Sequence, residues 1–425
     1  MTMDIPPTAT PESSAVARLR ERLSDLMAVE EVKMLPGPTT AFAFVGRLYG
    51  AAEETFDRLS ARFAGLGYTA MLSQTDDGRF QVVALQGIAR PRPTRRWVNL
   101  LLFALTVVSA MFAGLSPEFD IANPRWYLSG LPFAAALLGI LLAHELAHYF
   151  VARRYGSPVS PPYFVPMPLS PLGTMGAVIF QQAPMRDRKA LFDIGIAGPL
   201  AGLIVALPLL IIGLRFTYVG HPSQFMDDEA LQERLEATCR EPRGWEAIPC
   251  LLFGGTPAEG QEGAQQVMQE GNSILYWAAK YIVFGRSLPG DNGEDVWLSS
   301  PSPGGPVVFA AWAGLLVTAL NLLPIGQLDG GHVAYALLGR RAWKLAYVML
   351  GLLGTLGLAL ALTGNPAWIT WIIWAGLGLL LGPRHPPPLN DTTRLGTGRV
   401  VLGVFLALIF ILTFVPVPLV FVTAP

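Results

Sequence analysis

Charged residues are scarce in this chain of 425 residues: 14% are charged, whereas 52% are hydrophobic. Soluble globular domains carry about 25% charged residues, so the composition excludes an ordinary soluble enzyme. The net charge of −1 lacks the basic character of a nucleic-acid-binding protein, and no nucleic-acid partner is predicted. The N-terminal residues also lack a cationic start followed by an apolar core, which predicts that there is no cleavable signal peptide.

Long apolar runs are what the chain has instead. Several reach the roughly 17–25 residues that a membrane-spanning helix needs. They lie near residues 97–114, 128–151, 190–214, 306–323, 343–362, 367–382 and 400–421. With seven spans, all clusters of Lys and Arg fall on one side, which the positive-inside rule makes cytoplasmic. The predicted fold class is a polytopic α-helical membrane protein in the lipid bilayer, with about seven transmembrane helices and a small α+β N-terminal cytoplasmic domain.

The domain organisation follows from these runs. A disordered tail is predicted for 1–14, an α+β domain for 15–92, spans 1–3 for 97–214, an acidic outer-face insertion for 215–305, and spans 4–7 for 306–425. The α+β domain has helical spacing in AVARLRERLSDLM, a strand in TAFAFVG and a hairpin signal in TDDG. The insertion holds the only two cysteines, Cys239 and Cys250. A disulfide between them stays open, because spacing does not give the geometry.

His144, Glu145 and His148 form an H-E-x-x-H pattern inside the second apolar run. Residues four apart share one face of a helix, so both imidazoles can bind one Zn²⁺ ion. Glu145 stands beside the first ligand, where it can accept a proton from water at the metal. The alternative is a set of polar residues that hydrogen-bond between membrane helices. Unpaired ionisable groups at that depth are expensive, which favours the metal site.

A catalytic zinc ion usually takes three protein ligands. Asp329 is the only acidic residue within 296–390, and it follows the fourth run at the same predicted end as His148. The sequence therefore predicts Asp329 as the third ligand. The alternative is a turn residue ahead of two glycines. His332 is interpreted as interfacial rather than as a partner of the site.

The two motifs HELAHYFVARRYG and NLLPIGQLDGGH, in that order on two spans, resemble the site-2 protease family of intramembrane zinc metalloproteases. PLGTMGAVI and DIGIAGPLAG are also similar to stretches of that family, most closely in its chloroplast-type and bacterial branch with a soluble amino-terminal region. The resemblance covers roughly residues 130–215 and 305–340. The N-terminal domain and the 215–305 insertion lie outside it.

This resemblance implies that His144, His148 and Asp329 hold one catalytic Zn²⁺ and that Glu145 is the catalytic acid/base. It implies a zinc metalloprotease that hydrolyses peptide bonds in or near the transmembrane segment of a single-pass membrane-protein substrate, in regulated intramembrane proteolysis. The expected location is the bacterial plasma membrane, with the N-terminus cytoplasmic.

Two segments are candidates for substrate binding. Prolines forbid a continuous helix in 161–184, and GAVIFQQ favours a short strand. The resemblance suggests that this loop re-enters the membrane and pairs with an unwound substrate, with Gly173 and Gly176 permitting close backbone approach. The alternative is an ordinary surface loop. Asn321 precedes a predicted helix break at Pro324 and is a candidate for bonding a substrate carbonyl; the alternative is a helix cap.

Two other functions use the same sequence differently. A metal or solute transporter could use the His and Asp residues as a transit site, but no internal repeat is found and Glu145 would have no task. A non-catalytic membrane scaffold could act through the N-terminal domain.

Overall fold

The structure is a computed structural model that describes residues 11–36, 41–88, 94–115, 128–220, 265–291, 293–296, 298 and 304–424. Cys239 and Cys250, whose pairing the sequence leaves open, lie outside these residues, as does most of the 215–305 insertion. So do residues 1–10 of the predicted disordered tail.

The N-terminal region is a four-stranded antiparallel sheet with two helices. Its elements are α1 (Pro11–Leu23), β1 (Met27–Leu35), β2 (Ala41–Leu48), α2 (Ala52–Ala64), β3 (Tyr68–Gln74) and β4 (Phe80–Gln86). The strand order is β1-β2-β4-β3, so β3 is an edge strand. Leucine and phenylalanine side chains of both helices pack on the sheet, because α2 presents an apolar face of Phe56, Leu59 and Phe63. Helix α1 begins inside the predicted tail, and strand β1 was not predicted.

Nine helices make up the apolar part of the described chain. They are α3 (Arg96–Ala113), α4 (Leu131–Arg154), α5 (Arg188–Arg215), α6 (Ile274–Phe284), α7 (Gly305–Asn321), α8 (Asp329–Leu338), α9 (Arg341–Leu362), α10 (Trp368–Leu380) and α11 (Thr397–Thr413). The short helix α8 was not predicted as a separate element. Helices α3, α4, α5 and α9 are long and apolar enough to cross a membrane. Four shorter apolar helices accompany them, α6, α7, α10 and α11. This fits a polytopic helical membrane protein, whereas the count of seven spans stays a prediction.

The last apolar run differs from its prediction. The sequence predicts a span to residue 421, but α11 ends at Thr413 and β10 (Leu419–Ala424) follows. Pro416 and Pro418 stand between them, and proline cannot continue a helix. Strand β10 pairs antiparallel with β8 (Gln265–Glu270), which belongs to the predicted 215–305 insertion.

Two short sheets flank the helices. In the predicted substrate-binding loop, β5 (Tyr163–Pro166) and β6 (Thr174–Val178) form an antiparallel hairpin that packs against α3. Phe164 of β5 stacks edge-on against Phe103 of α3, with ring centroids 4.9 Å apart. Within the predicted insertion, β7 (Val219–Gly220) pairs with β9 (Asp295–Val296). Helix α7 is joined to the insertion by Trp312, whose indole N–H donates to the Gly271 carbonyl at 2.8 Å.

Candidate metal centre

Three side chains of metal-ligand type meet between α4 and α8. His144 and His148 lie one turn apart on α4, and Asp329 is the first residue of α8. The two Nε2 atoms are 3.1 Å apart, and Oδ2 of Asp329 lies 3.2 Å from that of His144 and 3.3 Å from that of His148. Within the described part of the chain this is the only group of three or more His, Cys, Asp or Glu residues that could hold a metal ion.

The donor set fits a catalytic zinc ion. Two imidazole nitrogens and one carboxylate oxygen, all within 4.8 Å of one another, match a zinc site with three protein ligands and one open position. The three side chains lie at no more than 13% exposure, where an unpaired carboxylate would be expensive. A divalent cation held by His144, His148 and Asp329 would compensate that charge.

The orientation of His148 is set by the neighbouring helix. Its Nδ1 lies 2.7 Å from the carbonyl oxygen of Ile194 on α5. A carbonyl can only accept, so this nitrogen carries the proton and Nε2 keeps its lone pair for the metal.

Glycines of α5 make room for the ligands. A Cβ at Gly198 would lie 2.1 Å from Nε2 of His148, closer than real Cβ atoms approach any atom. A Cβ at Gly195 would lie 2.8 Å from Cβ of His332 and 3.3 Å from the Asp329 carbonyl oxygen. The packing partners of Gly198 are thus the two histidine rings themselves.

A tight turn brings Asp329 to the histidines. Helix α7 ends at Asn321, three residues before Pro324, in agreement with the predicted break. The chain then folds back so closely that a Cβ at Gly330 would lie 2.0 Å from the Leu322 carbonyl oxygen, and one at Gly331 would lie 2.2 Å from that of Gly326. The two glycines after Asp329 therefore permit the turn that starts α8 at this point.

The other predicted residues lie at different places. Glu145 is buried on α4, directly after His144, at 7% exposure. The side-chain nitrogen of Asn321 lies 3.4 Å from Nε2 of His144, so this amide borders the metal position. Gly173 packs on α3, where a Cβ on it would lie 2.4 Å from the Ser109 carbonyl oxygen. Gly176 has φ +101° and open space around it.

The contact between His332 and His385 was not predicted from the sequence. His332, interpreted as interfacial, has its Nδ1 at 2.6 Å from Nε2 of His385, which belongs to the segment between α10 and α11. No spacing pattern could have pointed to this pair, because the two residues are 53 positions apart.

Comparisons with known proteins agree with this geometry. The model of Peptidase family M50 matches residues 132–288 and 295–362. The match therefore extends into the 215–305 insertion, which the sequence analysis placed outside the resemblance. No solved structure matches the chain.

Curated relatives match most of the chain. Probable zinc metalloprotease EGY1, chloroplastic, of Arabidopsis thaliana is 27% identical over 414 residues, which cover 88% of this chain and 66% of the relative. The protein of the same name from Oryza sativa subsp. japonica is 28% identical, with 88% and 62% covered. Probable zinc metalloprotease EGY2, chloroplastic, of Arabidopsis thaliana is 28% identical, with 89% and 60% covered. The chain thus spans about two thirds or less of these relatives' length.

These relatives bear on the predicted location as well. They are chloroplastic plant proteins by name, so they give no support to the predicted bacterial plasma membrane. The family match spans both ligand-bearing helices, α4 and α8, and all three candidate ligands lie inside it. The chain belongs to Peptidase family M50.

Proposed function

We propose that this protein is an intramembrane zinc metalloprotease that hydrolyses peptide bonds in or near the transmembrane segment of membrane-protein substrates. The observation that carries the proposal is the meeting of His144, His148 and Asp329 in a buried site formed by apolar helices. The names of the relatives, which are probable zinc metalloproteases, support the same metal and the same reaction. Zinc supplies Lewis acidity when bound: it lowers the pKa of water and polarises a carbonyl group.

Side chains of the protein would bind the ion and transfer the proton. His144, His148 and Asp329 would hold the ion, and the bond from His148 to Ile194 fixes the direction of one ligand. Glu145 would take a proton from the attacking water and return it to the leaving amine, as a general base and then a general acid. Its burial next to His144 limits the access of bulk water to this carboxylate.

Asn321 is the candidate for stabilising the reacting carbonyl. Its amide borders Nε2 of His144, at 3.4 Å. A side-chain N–H at that place can donate to a carbonyl oxygen on which negative charge develops.

The β5–β6 hairpin is the candidate for binding the unwound substrate. A peptide bond inside a helix is shielded, and an unwound segment in lipid needs new hydrogen-bond partners. Among the described residues the hairpin forms a two-stranded sheet, so each strand keeps an edge on which an extended peptide could pair. Apolar side chains in and just after β6 are exposed: Met175 is 70% exposed and Phe180 is 58% exposed. Of the two predicted glycines, Gly176 in β6 remains part of this proposal.

The proposed topology puts the N-terminal domain on the cytoplasmic side. Arg186 and Lys189 belong to the basic clusters that the positive-inside rule assigns to that side. Both contact the N-terminal domain: Arg186 donates to Asp57 at 2.7 Å, and Lys189 donates to Glu53 at 3.0 Å. The substrate class we propose is a single-pass membrane protein.

The test is Glu145→Gln in the full chain, with zinc content and substrate cleavage measured on the same preparation. Membrane proteomics of cells that express either form identifies the substrate as the uncut protein that accumulates with the variant. We expect cleavage to be lost and zinc to be retained. His144→Ala is the matched control, for which both zinc and cleavage should be lost. Full cleavage by the Glu145→Gln protein would overturn the proposal.

A further inference from the structure

A second pair of histidines lies one helical turn from the metal ligands. His332 follows Asp329 by three residues on α8, so the two side chains leave neighbouring positions of the same helix. Nδ1 of His332 is 2.6 Å from Nε2 of His385, and the rings meet edge to face with centroids 4.8 Å apart. Neither histidine belongs to the group that could hold the metal.

The start of α8 has no room to shift on its other side. Gly195 of α5 packs directly on it, since a Cβ there would collide with Cβ of His332 and crowd the Asp329 carbonyl oxygen. The first turn of α8 is therefore enclosed between α5 and His385. Any change in that enclosure alters where the Asp329 carboxylate points.

His385 is itself held firmly. It is 6% exposed, and its ring lies against Tyr335 with centroids 5.0 Å apart. Its backbone carbonyl accepts from the indole N–H of Trp343 at 3.0 Å. Burial lowers the pKa of His385 to about 3, so its ring is neutral at physiological pH. Its Nδ1 is buried and has no partner within the described residues, so the bond to His332 is the hydrogen bond of this ring.

The segment that carries His385, residues 381–396, is anchored in two places. On the membrane side, the amides of Leu389 and Asn390 each donate at 2.8 Å, to the carbonyls of Met185 and Arg186 ahead of α5. On the domain side, the segment runs along the free edge of β3. The Leu72 amide donates to the Leu389 carbonyl at 2.7 Å, and the Asp391 amide donates to the Leu72 carbonyl at 2.9 Å.

We infer that His385 is a positioning residue for the metal site: its hydrogen bond to His332 holds the first turn of α8, and with it Asp329, in the geometry that binds the ion. The edge strand β3 of the N-terminal domain anchors the segment from which His385 reaches α8. This gives the domain a mechanical connection to the metal centre. The inference rests on the proposed zinc site, but it does not depend on which bond is hydrolysed.

The experiment measures metal affinity, which can be read without any substrate. Full-length protein in detergent is titrated with Zn²⁺ against a chelator, and the visible absorption spectrum of the Co²⁺-loaded protein reports the ligand geometry. We expect His385→Ala to weaken zinc binding by about 10-fold or more. Removing residues that support metal ligands by hydrogen bonds costs metal affinity on this scale. His385→Gln, whose side-chain amide can donate or accept a hydrogen bond near the position of Nε2, should restore most of the affinity.

A matched control comes from the same segment. Arg384 is exposed and lies over the Trp343 ring at 5.8 Å, so Arg384→Ala alters the segment without touching His332. It should bind zinc as the unaltered chain does. Wild-type affinity and an unchanged cobalt spectrum for His385→Ala would overturn the inference. So would a His385→Gln protein as weak as His385→Ala, because the ring's bulk rather than its hydrogen bond would then be what matters.

A second pair of variants addresses the same bond from the other side. If His385→Ala does not accumulate as folded protein, His332→Asn keeps a hydrogen-bonding group near the position of Nδ1 and His332→Leu removes it. We expect the asparagine variant to bind zinc more than about 5-fold tighter than the leucine variant, and equal affinities would overturn the inference. Because zinc binding is the readout, a protein that binds zinc and cleaves nothing would refute the proposed function and leave this inference standing.

Discussion

Nδ1 of His148 lies 2.7 Å from the carbonyl oxygen of Ile194, on the helix next to its own. One metal ligand is therefore oriented by a backbone atom, which no side-chain substitution at Ile194 would remove. The same helix, α5, approaches the ring closely at Gly198, so the spacing between α4 and α5 decides the geometry of the site.

Gly198→Ala should damage the metal centre directly. Its Cβ would come 2.1 Å from Nε2 of His148 and 2.7 Å from Cδ2 of His144. The rings cannot move away without leaving the ion, so we expect at least about 10-fold weaker zinc binding and a matching loss of cleavage. Gly139→Ala, on α4 with open space around it, is the control and should bind zinc normally. Equal affinity of the two variants would contradict the described packing.

Docking of the N-terminal domain should respond to charge reversal on α2. The Arg186–Asp57 pair is more than half exposed on both sides, and such pairs contribute about 0–1 kcal/mol. Asp57→Arg should loosen docking and speed hydrogen exchange of the Leu72 amide by up to about 5-fold at low salt, with less effect at high salt. Adding Arg186→Asp should reverse the change. Glu54→Arg, an exposed neighbour on the same helix, serves as the control, and an equal effect there would refute the specific contact.

Acid should weaken the N-terminal domain in a defined range. The hydrogen bonds from Arg62 hold the pKa of Asp25 at about 2, below its ordinary 3.8. The folded form therefore releases this proton more readily, and the stability it contributes is present above pH 3.8 and is lost as pH falls toward 2. We expect pepsin to cleave residues 11–88 of the full chain faster as pH falls through this range. Asp25→Asn should flatten part of that dependence, and an unchanged profile would argue against the assignment.

The region around β8 and α6 should lose stability as pH rises, the opposite of the N-terminal domain. Burial raises the pKa of Glu270 from its ordinary 4.5 to about 7, helped by nearby Asp295 and opposed by Lys280. The folded form binds the proton more tightly, so stability falls as pH rises from 4.5 through 7, by an amount on the order of 3 kcal/mol at 1.36 kcal/mol per pKa unit. Glu270→Gln keeps an acceptor for the Tyr276 hydroxyl and removes the charge.

Hydrogen exchange of the α6 amides measures this effect. In the unaltered chain, exchange corrected for its intrinsic pH dependence should rise over that range, and in Glu270→Gln the rise should vanish. Asp291→Asn, at an exposed position, should leave it in place. A rise of the same size in Glu270→Gln would show that another group titrates.

The periodic parts of the chain were the predictable ones. Apolar runs locate α3, α4, α5 and α9 to within a few residues, because long apolar helices leave a pattern that short segments cannot imitate. The H-E-x-x-H spacing places two ligands on one helix face without any knowledge of the fold. Asp329 was predicted as the third ligand because it is the only acidic residue within 296–390 and stands out there.

Contacts between distant segments could not be predicted in this way. The bond between His332 and His385, the pairing of β8 with β10, and the docking of Leu389 on β3 each depend on how helices pack in three dimensions. Strand β1 was missed for a local reason: its outward-facing Glu and Lys residues weaken the apolar signal on which the prediction relies. The close approach of Gly173 to Ser109 on α3 was likewise invisible in the sequence, and the substrate role of Gly173 stays a prediction.

The candidate ligands His148 and Asp329 are 181 positions apart in the chain. Neither half of the protein can therefore offer a complete coordination set before the two halves have come together. Only the associated halves present all three candidate ligands, so only they would bind zinc tightly. Zinc binding would therefore stabilise the association of the two halves, besides its role in the reaction. Two fragments divided between α5 and α6 should each bind the ion poorly when alone and bind it well once mixed.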